Sequence, residues 1–202
     1  TNPVAGIALK DLLRNYELLD DKQGQWKANF KLANWHISRN EREAALPFAE
    51  RAEWLSQNLD NRTQRFASLI QLGQLTDDTS SFTAALERAK TVEERALALT
   101  HLKRFDEVAE LLDRLDADEQ PYTAAFIYYH YAKNKRDLTA AEASLKHYRS
   151  AASYYGVVDS LFLSAHIVEE TGGASAEAME YAKRAKRAAQ HLPDEQRKQA
   201  ID

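Results

Sequence analysis

Apolar residues recur along this chain at intervals of three and four, and no stretch alternates strictly between apolar and polar positions. That period, near 3.6, predicts helices throughout. The first is expected over about Ile7 to Leu19, with Ile7, Leu9, Leu12, Leu13, Tyr16 and Leu19 on its apolar face, and Asp20, Asp21 and Gly24 breaking it. A second runs from about Gln25 to Ser38. A third, capped by Asn40 and carrying Pro47 early enough for a modest kink at most, reaches about Gln57. A fourth takes Arg62 to about Leu75.

Beyond the polar loop "TDDTSS", Ser80 or Ser81 caps a short helix to about Lys90. Thr91-Val-Glu-Glu94 has the form of a capping box, a hydroxyl at the cap and a carboxylate three residues on. Residues 81–102 therefore form either two helices or one long one. Phe105 to Leu115 is the next helix, and Pro121 opens an aromatic one, "PYTAAFIYYHYAKNK". Leu138 to about Tyr155 follows, ended by Gly156. Asp159 is expected to cap a helix to about Glu170, with Gly172-Gly173 as its stop. Ser175 to about His191 is the last, ahead of a polar tail over 193–202. The total is about eleven helices on short connections, which makes successive helices antiparallel neighbours. With no compositional shift to mark a linker, one continuous domain over 1–202 is expected.

Composition narrows this further. Of 202 residues, 44% are hydrophobic and 29% charged, as in an ordinary soluble domain. Six Gly and four Pro are few for a fold of tight β-turns. A net charge of -4 gives no overall attraction to nucleic acid or to an anionic membrane. The absence of Cys removes disulfides, thiolate metal sites and a Cys nucleophile. No apolar run approaches the roughly 18 residues of a spanning helix, so no membrane insertion of this segment is expected. Because Thr1 rather than Met comes first, we expect a trimmed or mature form, a part of a larger or membrane-tethered bacterial protein; cytoplasm and periplasm both fit.

The segment "HLKRFDEVAELLDRLDADEQP" resembles the second half of a tetratricopeptide repeat, with Phe105, Val108, Leu112, Leu115 and Pro121 at the pattern's positions and the proline one residue late. Weaker echoes place Ala33, Ala45 and Ala52, then Leu72-Gly73 with Phe82, Ala85 and Ala89, then Leu138, Ala141 and Leu145, then Ala178, Ala182 and Ala185. Small residues there let two helices of a hairpin approach closely. The anchors Ala45, Ala85, Val108, Ala141 and Ala178 follow at intervals of 40, 23, 33 and 37 residues, against about 34 in the family. The resemblance implies an all-α, right-handed superhelix of antiparallel hairpins.

It further implies that the first helix of each pair lines a concave surface. The side chains so placed are Lys27, Phe30 and Asn34, then Ile70 and Gln74, then Glu93 and Leu97, then Phe126, His130 and Lys133, and finally Leu163 and Ile167. That set is mostly apolar. Lys27, Asn34 and Lys133 are too dispersed to form a cluster for a peptide's terminal carboxylate, so an amphipathic helix or extended apolar peptide is the better fit. The plainer reading is that these residues pack against the chain itself or a second copy.

Little else suggests chemistry. The six His form no His-Glu-x-x-His or Glu-x-x-His spacing. His166 and Glu169 share a helix face, two metal ligands at best, and read as a surface or packing pair. "ETGGASAE" follows a helix rather than a strand, so its glycines read as a helix stop, not a phosphate cradle. Lys183, Arg184, Lys186, Arg187, Arg197 and Lys198 read as a solvated outer face more readily than as a nucleic-acid stripe. The expectation is a non-catalytic scaffold for a protein or peptide partner, with no cofactor and no metal, and with homo-oligomerisation left open. A regulatory sensor domain that binds a small molecule or peptide in a helical cavity is the alternative. In the aromatic helix, most rings should be core, leaving the strip Phe126, His130 and Lys133 for a ligand.

Overall fold

A computed structural model of the protein describes residues 3–193. Arg197, Lys198 and the tail beyond Pro193 lie outside the described residues. The chain is all-α: α1 (Pro3–Leu18), α2 (Lys22–Ile37), α3 (Arg42–Asn58), α4 (Arg62–Thr76), α5 (Thr79–Arg88), α6 (Val92–His101), α7 (Phe105–Ala109), a 3₁₀ turn (Leu112–Arg114), α8 (Pro121–Lys135), α9 (Leu138–Ser150), α10 (Tyr154–Glu170) and α11 (Ser175–Ala189). The helices pack mainly against their neighbours in sequence, and they fall into two compact units, Thr1–Lys90 and Thr91–Asp202.

In the N-terminal unit, α1 packs on α2, α2 on α3, α3 on α4 and α4 on α5. The core is built from small anchors, with Ala28, Ala33, Ala45, Ala49, Ala52 and Ala85 closed off from solvent, and Leu32, Leu55, Phe66 and Phe82 filling the spaces between. Of the apolar face expected on α1, Leu9, Leu13 and Tyr16 are half-buried, whereas Ile7, Leu12 and Leu19 remain exposed. The helix packs mainly against α2, and part of its stripe is left uncovered.

In the C-terminal unit, α8, α9, α10 and α11 pack in succession, while α6 and α7 both rest on α8. Its core holds Leu145, Leu161, Ala165, Val168, Ala178, Tyr181 and Ala185 in one cluster, and Ala132, Ala140, Ala141, Leu163 and Ile167 in another. A buried serine seam joins three helices: Ser144 of α9 donates to the Ala125 carbonyl of α8 at 2.9 Å and lies 3.0 Å from the Ser160 hydroxyl of α10. The hydroxyls meet one another's needs, so burying them carries no orphaned donor.

The turns depart from several expectations. Gly24 and Gly156 lie inside helices. At either, an added Cβ would stand within 2.5 Å of an aromatic carbon, of Tyr16 or of Tyr148 respectively. These glycines give room for a ring to press on backbone. The left-handed turn positions instead hold Asp20, Asn40, Asp77, Lys103, Arg136 and Ala152, each with φ between 52° and 58°. Only Gly172, at φ 76°, serves as the glycine stop that was expected.

The caps shift accordingly. Asn40 is a left-handed turn residue, and Glu41 begins α3 with no side-chain cap. Asp78, not Ser80 or Ser81, caps α5, and Ser153, not Asp159, caps α10. Ala174 precedes α11 without a cap bond. Thr91 does form the capping box with Glu94, so residues 81–102 are two helices.

The segment that best matches the repeat pattern is the least helical. α7 lasts only from Phe105 to Ala109. Two side chains from elsewhere compete for backbone groups just beyond it. The Tyr128 hydroxyl donates to the Leu112 carbonyl at 3.0 Å, and the Glu93 carboxylate accepts the Asp116 N–H at 2.8 Å. These bonds satisfy backbone groups that a continued helix would otherwise pair internally.

Candidate functional site

Each unit carries its own share of the residues expected to line a groove. In the N-terminal unit, α2 and α4 bring together a polar and aromatic seam. Phe30 is half-buried and stacks on Trp26 with ring centroids 5.3 Å apart. The Trp26 indole N–H donates to the buried Ser68 hydroxyl at 2.9 Å. Gln71 donates from one amide nitrogen to the Asn34 side-chain oxygen at 2.9 Å and the Phe30 carbonyl at 3.0 Å. Lys27, Asn34 and Gln74 are exposed, whereas Ile70 is buried in the core. The Gln74 carbonyl, with that of Leu75, receives the guanidinium of Arg42, which also pairs with Asp77 at 2.8 Å. The seam is paired at the Gln71 amide nitrogen, while the Gln71 amide oxygen is buried with no hydrogen-bond partner.

The C-terminal unit differs. On α8, Tyr122, Phe126, Tyr129 and Lys133 follow at steps of four, three and four, which holds them along one stripe, with His130 at its edge. Phe126 lies 4.3 Å from the His130 ring and 5.4 Å from that of His101 on α6. Tyr129 meets His130 edge-on at 5.3 Å. Tyr129 also packs on the cluster containing Leu163 and Ile167 of α10. Of the sequence-expected residues, Phe126 and His130 are therefore half-buried in contact and Lys133 is exposed, while Leu97 is half-buried, and Leu163 and Ile167 are core. Glu93 is buried, spent on the Asp116 amide.

Burial has electrostatic consequences here. Burial, aided by the neighbouring His130, drives the His101 pKa down to about 4, so the ring is neutral at physiological pH. His130 is lowered too, by burial and then by Lys133. Asp159, one turn before Leu163 on α10, is pushed up to about 6 by burial, with Lys133 partly opposing the shift. Burial raises the hydroxyls of Tyr129 and Tyr148, with the Asp159 charge a lesser cause, whereas Tyr155 is raised first by that charge and then by burial. The Asp159 carboxylate makes no hydrogen bond or ion pair among the described residues.

Trp26, Gln71, His101 and Asp159 were not among the expected lining residues. Asp159 was missed because it was taken for a helix cap; starting α10 at Tyr154 instead puts it four residues after Tyr155 on the same face. His166 pairs with Glu170 at 3.1 Å, not with Glu169, and Glu170 also pairs with Arg136. On α11, Arg184 lies over the Tyr181 ring at 5.3 Å, while Lys183, Lys186 and Arg187 are exposed.

Among the described residues, no group of three or more His, Asp or Glu side chains comes together to hold a metal, and no helix is long and apolar enough to cross a membrane. No protein-family model and no curated protein matches this chain.

Proposed function

We propose that this chain is a non-catalytic interaction module of the helical-repeat kind, which holds a peptide or helix of a protein partner. The observation that carries this reading is the row His101, Phe126, His130 and Tyr129. These rings touch in sequence at 4.3 to 5.4 Å, yet Phe126, Tyr129 and both histidines keep part of their surface open to solvent. Rigid aromatic rings that are half-covered before a partner arrives offer contact area at small entropic cost. Neutral imidazoles extend that surface without presenting a buried charge.

The test is capture of partners from the native cell by the wild type and by Phe126→Ala, with Phe30→Ala as a separate variant. Loss of capture in Phe126→Ala with the helical CD signal retained is the expected result. Unchanged capture by both variants overturns the reading. A regulatory domain that takes up a small molecule is a second reading, supported by the unpaired Asp159 carboxylate. It predicts that a low-molecular-weight extract of the cell, free of protein, raises the melting temperature of the C-terminal unit.

A further inference from the structure

In the C-terminal unit, α9 and α11 lie side by side on α10. Leu145 of α9 shares a cluster with Ala178, Tyr181 and Ala185 of α11, and the Tyr181 hydroxyl donates to the Glu142 carboxylate of α9. Each helix joins α10 by a short connection and runs antiparallel to it, which makes α9 and α11 parallel to one another. On α9, Lys146 and Arg149 follow Glu142 at steps of four and three, along the flank that Tyr181 reaches. With Glu142 and Tyr181 level, Lys146 falls level with Ala185 and Arg149 with Ala188. On α11, Arg184 lies over the Tyr181 ring at 5.3 Å, and Lys183, Lys186 and Arg187 surround it in sequence. Six cations from two helices therefore meet on one surface. All but the half-buried Arg184 are exposed, and none of the six forms an ion pair among the described residues.

Helix ends account for only half of this charge. Cations in the last turn offset the helix dipole, and Arg149, Lys186 and Arg187 stand there. Lys146, Lys183 and Arg184 lie earlier, where that effect has faded. Their spacing is also unfavourable by itself. Lys183 with Lys186, Lys183 with Arg187, Arg184 with Arg187 and Lys146 with Arg149 are like charges three or four residues apart on one helix, an arrangement that weakens it. An anion laid across the surface relieves all four repulsions together.

The extent of the patch selects the anion. The exposed Glu142, Glu177 and Glu180 bound it toward the N-terminal ends of both helices. From Lys183 to Arg187 the helix rises only about 6 Å. A nucleic-acid strand or an anionic lipid sheet, negative throughout, would meet those acids as well as the cations. No aromatic face is offered to a base, because Tyr181 is buried beneath Arg184, and Met179 is the one large apolar side chain that α9 and α11 expose. A short run of carboxylates fits better. We propose that the α9–α11 surface docks a short acidic segment of a protein partner. Arg149, Arg184 and Arg187 take its carboxylates in paired hydrogen bonds, and Lys146, Lys183 and Lys186 add charge. The surface shares no residue with the aromatic row of α6 and α8 and does not rest on it.

The experiment titrates the 15N-labelled full chain at neutral pH and low salt with N-acetyl-hexaglutamate amide and, as the uncharged control, N-acetyl-hexaserine amide. Dodecathymidylate and vesicles of phosphatidylserine with phosphatidylcholine are compared at equal salt. The expected result is saturable shifts of the amides of Lys146 to Ser150 and Lys183 to Gln190 with hexaglutamate and none with hexaserine, fading between about 0.05 and 0.5 M salt. Arg149→Gln and Arg187→Gln should each weaken hexaglutamate roughly two- to fivefold, and the double variant about tenfold. Lys10→Gln with Lys31→Gln, which removes two exposed cations of the N-terminal unit, should leave the affinity unchanged. Arg149 and Arg187 are exposed and each belongs to a like-charge pair, so the melting temperature of their variants should hold or rise.

Absence of saturable shifts with hexaglutamate, an equal response to hexaserine, or undiminished affinity in the double variant overturns the proposal. So does an equal loss in the Lys10 and Lys31 variant, which would reduce the effect to net charge. Tighter binding of dodecathymidylate or of the vesicles than of hexaglutamate overturns it as well, because the occupant is then a nucleic acid or a lipid surface.

Discussion

In the N-terminal unit, Glu41 lies beside Arg39 and His36, whose hydrogen bonds hold its carboxyl below the ordinary range, and Asp78 is lowered in the same way by Ser80. In the C-terminal unit, Asp159 has no such donor, and burial raises it to about 6. Some polar groups of the first unit are matched as amide to amide or cation to carbonyl, as the Gln71 amide nitrogen with Asn34 and Arg42 with the Gln74 and Leu75 carbonyls show. The second unit satisfies its deep hydroxyls along Ser144 and Ser160, yet burial disfavours the charged forms of His101 and Asp159. The contrast is confined to the acids: hydrogen-bond donors favour ionisation in the first unit, and burial opposes it at Asp159. Buried atoms without partners occur in the first unit too, at Gln64 Oε1, Arg65 Nε and Gln71 Oε1.

The largest effect expected is on acid stability. His101 titrates at about 4 in the fold against 6.5 normally, so the unfolded chain takes up the proton first, and stability is lost as the pH falls from about 6.5 to about 4. The full loss is roughly 2–3 kcal/mol. Asp159 acts in the opposite direction. Its charge penalises the fold fully above about pH 6, and the penalty is gone below 3.8. In the wild type the two terms partly cancel. His101→Gln should therefore make the C-terminal unit more resistant to acid than the wild type, with the N-terminal unit unchanged. Amide exchange resolved by unit at pH 4.5 and 7.5 measures this, and an equal acid response in both units breaks the comparison.

Gly156→Ala places a methyl group 2.4 Å from a Tyr148 ring carbon. It should destabilise the C-terminal unit by about 1–3 kcal/mol, which thermal melting measures. In the N-terminal unit, Trp26→Phe keeps the stack on Phe30 but removes the donor to Ser68, and should cost about 1 kcal/mol in urea unfolding. No loss there would mean that the seam between α2 and α4 is not held by its hydrogen bonds.

Asp159→Asn should stabilise the protein at pH 8 by about 1 kcal/mol, once the shift is discounted for solvent exposure, and the gain should vanish near pH 3.5. A loss of stability at pH 8 would break the contrast between the units. Smallest is Ala152→Gly. Relief of a left-handed alanine at φ 52° stabilises by at most about 1 kcal/mol, offset in part by greater freedom of the unfolded chain.

The helices themselves were plain in the sequence, because burial on one side imposes a period that survives without knowledge of the neighbour. Thr91 with Glu94, Pro121 at the opening of α8 and Gly172 after α10 were readable for the same reason, since their signals act within one turn of chain. The anchors Ala45, Ala85, Val108, Ala141 and Ala178 proved to be buried. Of the candidate site, the pair Phe126 and His130 was legible from their spacing of four. Ile70, Leu163 and Ile167 were placed on a concave face and lie in the core, because an apolar side chain looks the same in sequence whether a partner or its own chain covers it.

What only the tertiary structure decided is which of two roles a residue took. Gly24 and Gly156 made room for rings instead of turning the chain, and Ala152, Asp77 and Arg136 made turns that glycine was expected to make. The helix after Phe105 stopped early as Tyr128 and Glu93 took over backbone groups beyond it. Asp159, a helix cap by its sequence surroundings, became a half-buried carboxylate inside α10, whose cap is Ser153. Each outcome depends on side chains distant along the chain, and a local pattern specifies a helix without specifying which ring or charge will be pressed against it.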